Sequence, residues 1–175
     1  MLKRTITNLK DVIIKPSEAF PRIIQENDMK SAVVVLLILA VLYSLPEGFD
    51  LIVILLCGII VLLYWQIDTT IMHFAAKMFG AKGNRRALLI GNAYAWAVGI
   101  YLTPLYLIGM DGLASLIGFV WTACLAVLAI KTVYSVSTGK GVAVLLMGGI
   151  IQLFLIGAVV FLCAPYLESL RNQMQ

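Results

Sequence analysis

The chain has 175 residues, of which 62% are hydrophobic and only 13% charged, against about 25% charged in an average soluble domain. That balance excludes a water-soluble globular fold. The net charge of +4 is no nucleic-acid signal, because the basic residues follow a membrane topology set out below.

The first thirty residues hold no apolar run ending in a small-residue cleavage site, so they do not read as a signal peptide. Leu2, Ile6, Leu9 and Ile13 recur at helical spacing, with Lys3, Lys10 and Lys15 at the edge and Asn8 and Asp11 opposite. This predicts a short amphipathic helix in the headgroup region, either a surface anchor or a docking helix for a cytoplasmic partner; the two roles are compatible. Pro16 ends it, since proline lacks an N–H and disfavours helix at the residue before it. A second short segment carrying Phe20, Ile23 and Ile24 leads onward.

Five hydrophobic blocks follow: Ala32–Leu45, Leu51–Met72, Ala87–Leu107, Leu113–Ile130 and Val142–Ala164. A hydrocarbon core of about 30 Å takes about 20 apolar residues per helix, so five spans use about 100 residues and leave no length for a folded soluble domain. Twelve of the thirteen Lys and Arg residues fall before the first block or in the second and fourth connections; Arg171 in the tail is the exception. Cytoplasmic loops retain basic residues, so the partition predicts five spans with the N-terminus inside and the C-terminus outside. The predicted fold class is an all-α polytopic bundle of five transmembrane helices with an amphipathic N-terminal helix. It divides into a cytoplasmic head (1–30), a membrane domain (31–164) and a short external tail (165–175).

The spans differ. The first covers only about 21 Å at 1.5 Å per residue and must extend, tilt little or sit where the bilayer thins. The second turns polar at its inner end, where Gln66, Thr69, Thr70, His73 and Lys77 share one helical face and Asp68 lies roughly opposite. Ionisable groups at such depth usually face protein or water. Two readings stay open: interfacial groups bonded to neighbouring helices, or a polar cavity or proton-coupled site, which Asn92, Gln152 and Thr103 would complete. Spans three and four carry small residues at four-residue steps: Gly91, Ala95 and Gly99, then Ala114, Gly118, Thr122 and Ala126. Such stripes let helices approach closely, within one chain or between copies in a homo-oligomer.

Chemistry-bearing motifs are missing. A lone His precludes a His-pair metal site, and Cys57, Cys124 and Cys163 sit on three different spans without zinc or redox spacing. Neither a phosphate-binding glycine loop nor a nucleophile elbow is present. No cofactor, metal or catalytic residue is predicted.

Gly80 and Gly83 bracket a turn, and Lys77, Lys82, Arg85 and Arg86 crowd beside His73. With Lys131 and Lys140 they either reflect the positive-inside rule alone or form a site for anionic headgroups or a phosphate-bearing ligand. The run His73-Phe-Ala-Ala-Lys-Met-Phe-Gly80-Ala-Lys-Gly83-Asn-Arg-Arg86, with Asn92-Ala-Tyr94-Ala-Trp96 after it and Pro16-Ser-Glu-Ala-Phe20 before it, resembles the Yip family. These are small five-span proteins named for interaction with Ypt/Rab GTPases. The long cytoplasmic domain of eukaryotic members, with its Asp-Leu-Tyr-Gly-Pro motif, is missing, which points to a prokaryotic-like member in a cytoplasmic membrane. A proline that often closely follows the Tyr-Ala segment appears only at Pro104. The resemblance implies a non-enzymatic membrane-organising protein whose partners are lipids, anionic ones included, and a membrane protein or further copies of itself. The alternative is a small transporter or channel component using the polar face of span two.

Overall fold

The structure, a computed structural model, describes residues 2–45, 48 and 50–173, with side chains through 162. Part of the first predicted connection (Pro46, Glu47 and Phe49), the last two tail residues and the tail's charged groups Glu168 and Arg171 therefore lie outside the described atoms. The described residues form eight helices and no strand: α1 (Leu2–Ile14), α2 (Pro16–Glu26), α3 (Met29–Tyr43), α4 (Leu51–Met78), α5 (Arg85–Trp96), α6 (Val98–Leu107), α7 (Asp111–Tyr134) and α8 (Thr138–Gln173).

Local chemistry sets these boundaries. Pro16 ends one helix and opens the next, since a missing N–H costs nothing in a first turn. Asn27 closes α2 in the left-handed region (φ 49°), and Asp28 then caps α3 by accepting from the Ser31 amide at 3.2 Å. Asp50 and Asn84 cap α4 and α5 in the same way. The third predicted span breaks at Ala97. There the hydrogen bonds tighten to three-residue steps, Ala97 N–H to Tyr94 O and Ile100 N–H to Ala97 O, a single tight turn within the helical stretch Arg85–Leu107.

Among the described residues four helical stretches are long and apolar enough to cross a bilayer: Leu51–Met78, Arg85–Leu107, Asp111–Tyr134 and Thr138–Leu162. The first predicted span corresponds to α3, apolar but only 15 residues long, about 22 Å by helical rise. Helix α8 continues past the end of the last predicted span and through the predicted tail to Gln173.

The core is built around α5. Every residue from Leu88 to Ala95 is buried, packed by α3, α4, α7 and α2. The small-residue stripes lie within this packing. A Cβ on Gly91 would sit 3.0 Å from that of Ala129, one on Gly99 2.7 Å from Leu39 Cδ1, and one on Gly118 3.0 Å from Leu102 Cδ1. Ala95, Ala114 and Ala126 are buried. Close helix approach inside one chain accounts for these residues.

The head does not lie apart from the bundle. Thr5, Asn8, Leu9 and Val12 turn inward, so part of the face expected to be polar and solvated is buried, while Leu2, Ile6 and Ile14 are exposed. Phe20 and Ile23 of α2 are also buried, and Ile24 reaches the Gly91–Ala129 contact. Polar clasps hold this arrangement. Arg4 pairs with Asp28 and lies 3.7 Å from Glu26; Arg22 pairs with Asp11 at 2.6 Å. Asn8 donates to Glu26 and accepts from Arg22, both at 3.2 Å, and the Thr5 hydroxyl donates to Ser31 at 3.1 Å.

Candidate functional site at the junction of α4 and α5

The polar segment of span two divides between two environments. Each belongs to a different side of α4, and the neighbour on α5 decides which residue goes where.

On the inner side stands Asp68, 5% exposed. Its carboxylate accepts from Asn92 Nδ2 at 2.7 Å and from Gln152 Nε2, so one side chain ties α4 to both α5 and α8. Asn92 Nδ2 also donates to the Thr69 hydroxyl at 2.8 Å. Thr69 is fully buried and thus keeps company with Asp68, not with the face on which helical periodicity grouped it. Asn92 Oδ1 is buried without a hydrogen-bond partner among the described residues. Of the three residues on other spans that could have joined such a network, Asn92 and Gln152 bond to Asp68. Thr103 instead donates to Gly99 O on its own helix at 3.0 Å. One turn away, Trp65 Nε1 donates to Leu89 O at 3.0 Å, a second fastening of α4 to α5.

On the outer side Gln66, Thr70, His73 and Lys77 remain in one row, joined by Arg85 from the first turn of α5. Its guanidinium donates from Nη2 to Gln66 Oε1 at 2.7 Å, and from Nη2 and Nε to Thr70 Oγ1 at 2.9 and 3.1 Å. His73 Nδ1 lies 2.5 Å from the Tyr134 hydroxyl at the end of α7. Tyr134 was not among the expected site residues. It lies 61 positions from His73 inside an apolar block, and no spacing in the sequence links them. Its ring also covers Gly83, where a Cβ would come within 2.3 Å of the ring. Gly80 takes a positive φ of 72°, the conformation for which glycine is cheapest.

Lys82, Arg86, Lys131 and Lys140 are exposed and make no side-chain hydrogen bond or ion pair among the described residues. Cys57 and Cys124 are free thiols, and the Cys163 side chain is outside the described set. No group of three or more His, Cys, Asp or Glu residues among those described is arranged to hold a metal.

Long apolar helices around a buried polar staple, with unpaired basic residues at helix ends, define an integral membrane helical bundle. The family model of the Yip1 domain matches residues 10–163, and the chain belongs to that family. No match is found among curated proteins or solved structures.

Proposed function

We propose that this Yip-family protein is a non-enzymatic scaffold or adaptor that gathers lipids or partner proteins at the cytoplasmic face of its membrane. In this reading α3 is a short fifth span, the N-terminus lies inside and the C-terminus outside. One observation carries the reading: the head packs on α5 and the end of α7 through Ile24, Gly91 and Ala129. The turn at Gly83 meets the same end of α7 through Tyr134. These contacts support a reading in which the six basic residues of the head and the six of the two basic connections gather at one end of the bundle, the end that the positive-inside rule would make the cytoplasmic face. Such a face binds anionic lipid or a partner's acidic surface without a deep pocket.

The test is charge reversal of Lys82 and Arg86 together with Lys3 and Lys10, followed by affinity purification in mild detergent. Partners or lipid should be stripped while the helices stay folded by circular dichroism. An unchanged set of co-purifying molecules would refute the scaffold. A transporter component is the second reading, favoured by the buried Asp68–Asn92–Gln152 staple. Saturable uptake or ion current in proteoliposomes, lost on changing Asp68 or His73 and indifferent to the head, would establish it instead.

A further inference from the structure

We propose that the outer face of α4, between Gln66 and Lys77, seats one anionic glycerophospholipid, its phosphate held by Arg85, His73 and Lys77 and an acyl chain lying along Leu63, Ile67 and Phe74. The inference deepens the lipid half of the proposed function and rests on it for biological meaning, but its readout is separate.

Three observations converge. The first is preorganisation. Arg85 is anchored by Gln66 and Thr70 through Nε and Nη2, which leaves Nη1 without a partner among the described residues. His73 is fixed through Nδ1 by Tyr134, leaving Nε2 free. Lys77 follows His73 by one helical turn on the same row of α4, and Arg85 bonds to Thr70, three residues before His73. A guanidinium held in place with Nη1 free, on the same row as the His73 and Lys77 nitrogens, offers a phosphate charge-assisted donors.

The second is charge. Every ion pair among the described residues involves Arg4 or Arg22 of the head, and the cleft lined by Lys3, Arg4, Thr7, Asn8, Arg22 and Glu26 is thereby largely neutralised from within. Arg85 and Lys77 have no carboxylate. Asp68, the acidic residue of α4, projects to the opposite side and is occupied by Asn92 and Gln152. Among the described residues no carboxylate answers the charges of Arg85 and Lys77, which leaves them available to an anion.

The third is depth. From Leu51, Thr70 lies about 28 Å along α4 and His73 about 33 Å, close to the hydrocarbon thickness of about 30 Å. The donors therefore stand where lipid phosphates lie. Leu63, Ile67 and Phe74 next to them are each more than half exposed, an apolar wall of the kind an acyl chain covers. A free phosphate would use the donors but not the wall.

Native mass spectrometry of the full chain, released from micelles doped with defined lipids, tests this. Phosphatidylglycerol should be retained over phosphatidylcholine at one molecule per chain. Arg85→Gln should weaken retention about tenfold, the scale of one charge-assisted contact, and Lys77→Gln severalfold, while Lys131→Gln leaves it intact. Lys77 is exposed and makes no side-chain hydrogen bond, so its variant keeps the test usable should Arg85→Gln unfold. Equal retention of both lipids, indifference to both substitutions, or full displacement by inorganic phosphate would each overturn the proposal. Loss of partner proteins on charge reversal elsewhere, with retention unchanged, would leave this site standing.

Discussion

Gly83 and Tyr134 meet face to ring: the position a Cβ would take on Gly83 lies 2.3 Å from Tyr134 Cδ1, and the same tyrosine's hydroxyl is 2.5 Å from His73 Nδ1. One aromatic side chain thus holds the turn after α4 against the end of α7.

Gly83→Ala should therefore push Tyr134 aside and break its bond to His73. Forcing a methyl into packed space costs about 1–3 kcal/mol. Tyr134→Phe, which deletes only the hydroxyl, should cost about 1 kcal/mol. Thermal unfolding in detergent would rank them, and an alanine variant milder than the phenylalanine variant contradicts the described contact.

Asp68 should be replaceable by Asn with little loss of folded yield, because the amide oxygen still accepts one of the two amide donors. Asp68→Leu strands the Gln152 amide against a hydrocarbon side chain and leaves Asn92 with Thr69 alone, at about 1–3 kcal/mol for a stranded donor. Size-exclusion yield of the two variants decides; a Leu variant as stable as the parent would show that the staple contributes nothing.

Asp28 gives a pH signature. The hydroxyl of Ser31 first, and then the Ser31 amide and the Arg4 guanidinium, hold its carboxyl at about 2 against a usual value of 3.8, with desolvation pulling the other way. Because the folded state depresses this value, the stabilisation is complete above 3.8 and drains away as pH falls towards 2. The head clasp should loosen over that window, seen as growing proteolysis of α1 by pepsin, and Asp28→Asn should flatten the dependence. A variant with the parent's pH profile would contradict this.

Membrane orientation is accessible to single-cysteine labelling after the native cysteines are replaced. Gly112 and Gly139 have open space where a side chain would go. An impermeant thiol reagent should reach Gly112→Cys from outside intact cells and reach Gly139→Cys only after lysis. The reverse pattern overturns the proposed topology.

Much of the architecture was legible because lipid imposes long apolar runs and topology sorts lysine and arginine. The polar segment of α4 was legible in its extent but not in its division. Thr69 falls between the two faces of the helix, and what settles its side is Asn92, which helical periodicity within α4 cannot place. The orientation of α1 was hidden for a related reason. Leu2, Ile6 and Leu9 look equivalent in an isolated helix, but the clasp through Thr5, Asn8 and Arg22 rotates it so that only Leu9 is covered. Tyr134 was invisible as a partner of His73 because contacts between distant helices leave no trace in local spacing.

The encasement of α5 bears on how the protein is made. The stretch Arg85–Leu107 has a mean hydropathy of 1.3, against 2.3–2.5 for the other three long spans. It is also the most buried of the four within the fold. A segment this polar, with Arg85 and Arg86 at its head, partitions weakly into lipid alone. The preceding α4 already shelters Asn92 through Asp68 and Thr69, but the face at Gly91 is closed by Ala129 of α7, so integration should await that helix. Chains truncated after α6 would then leave this segment unintegrated, and chains extended through α7 would recover it.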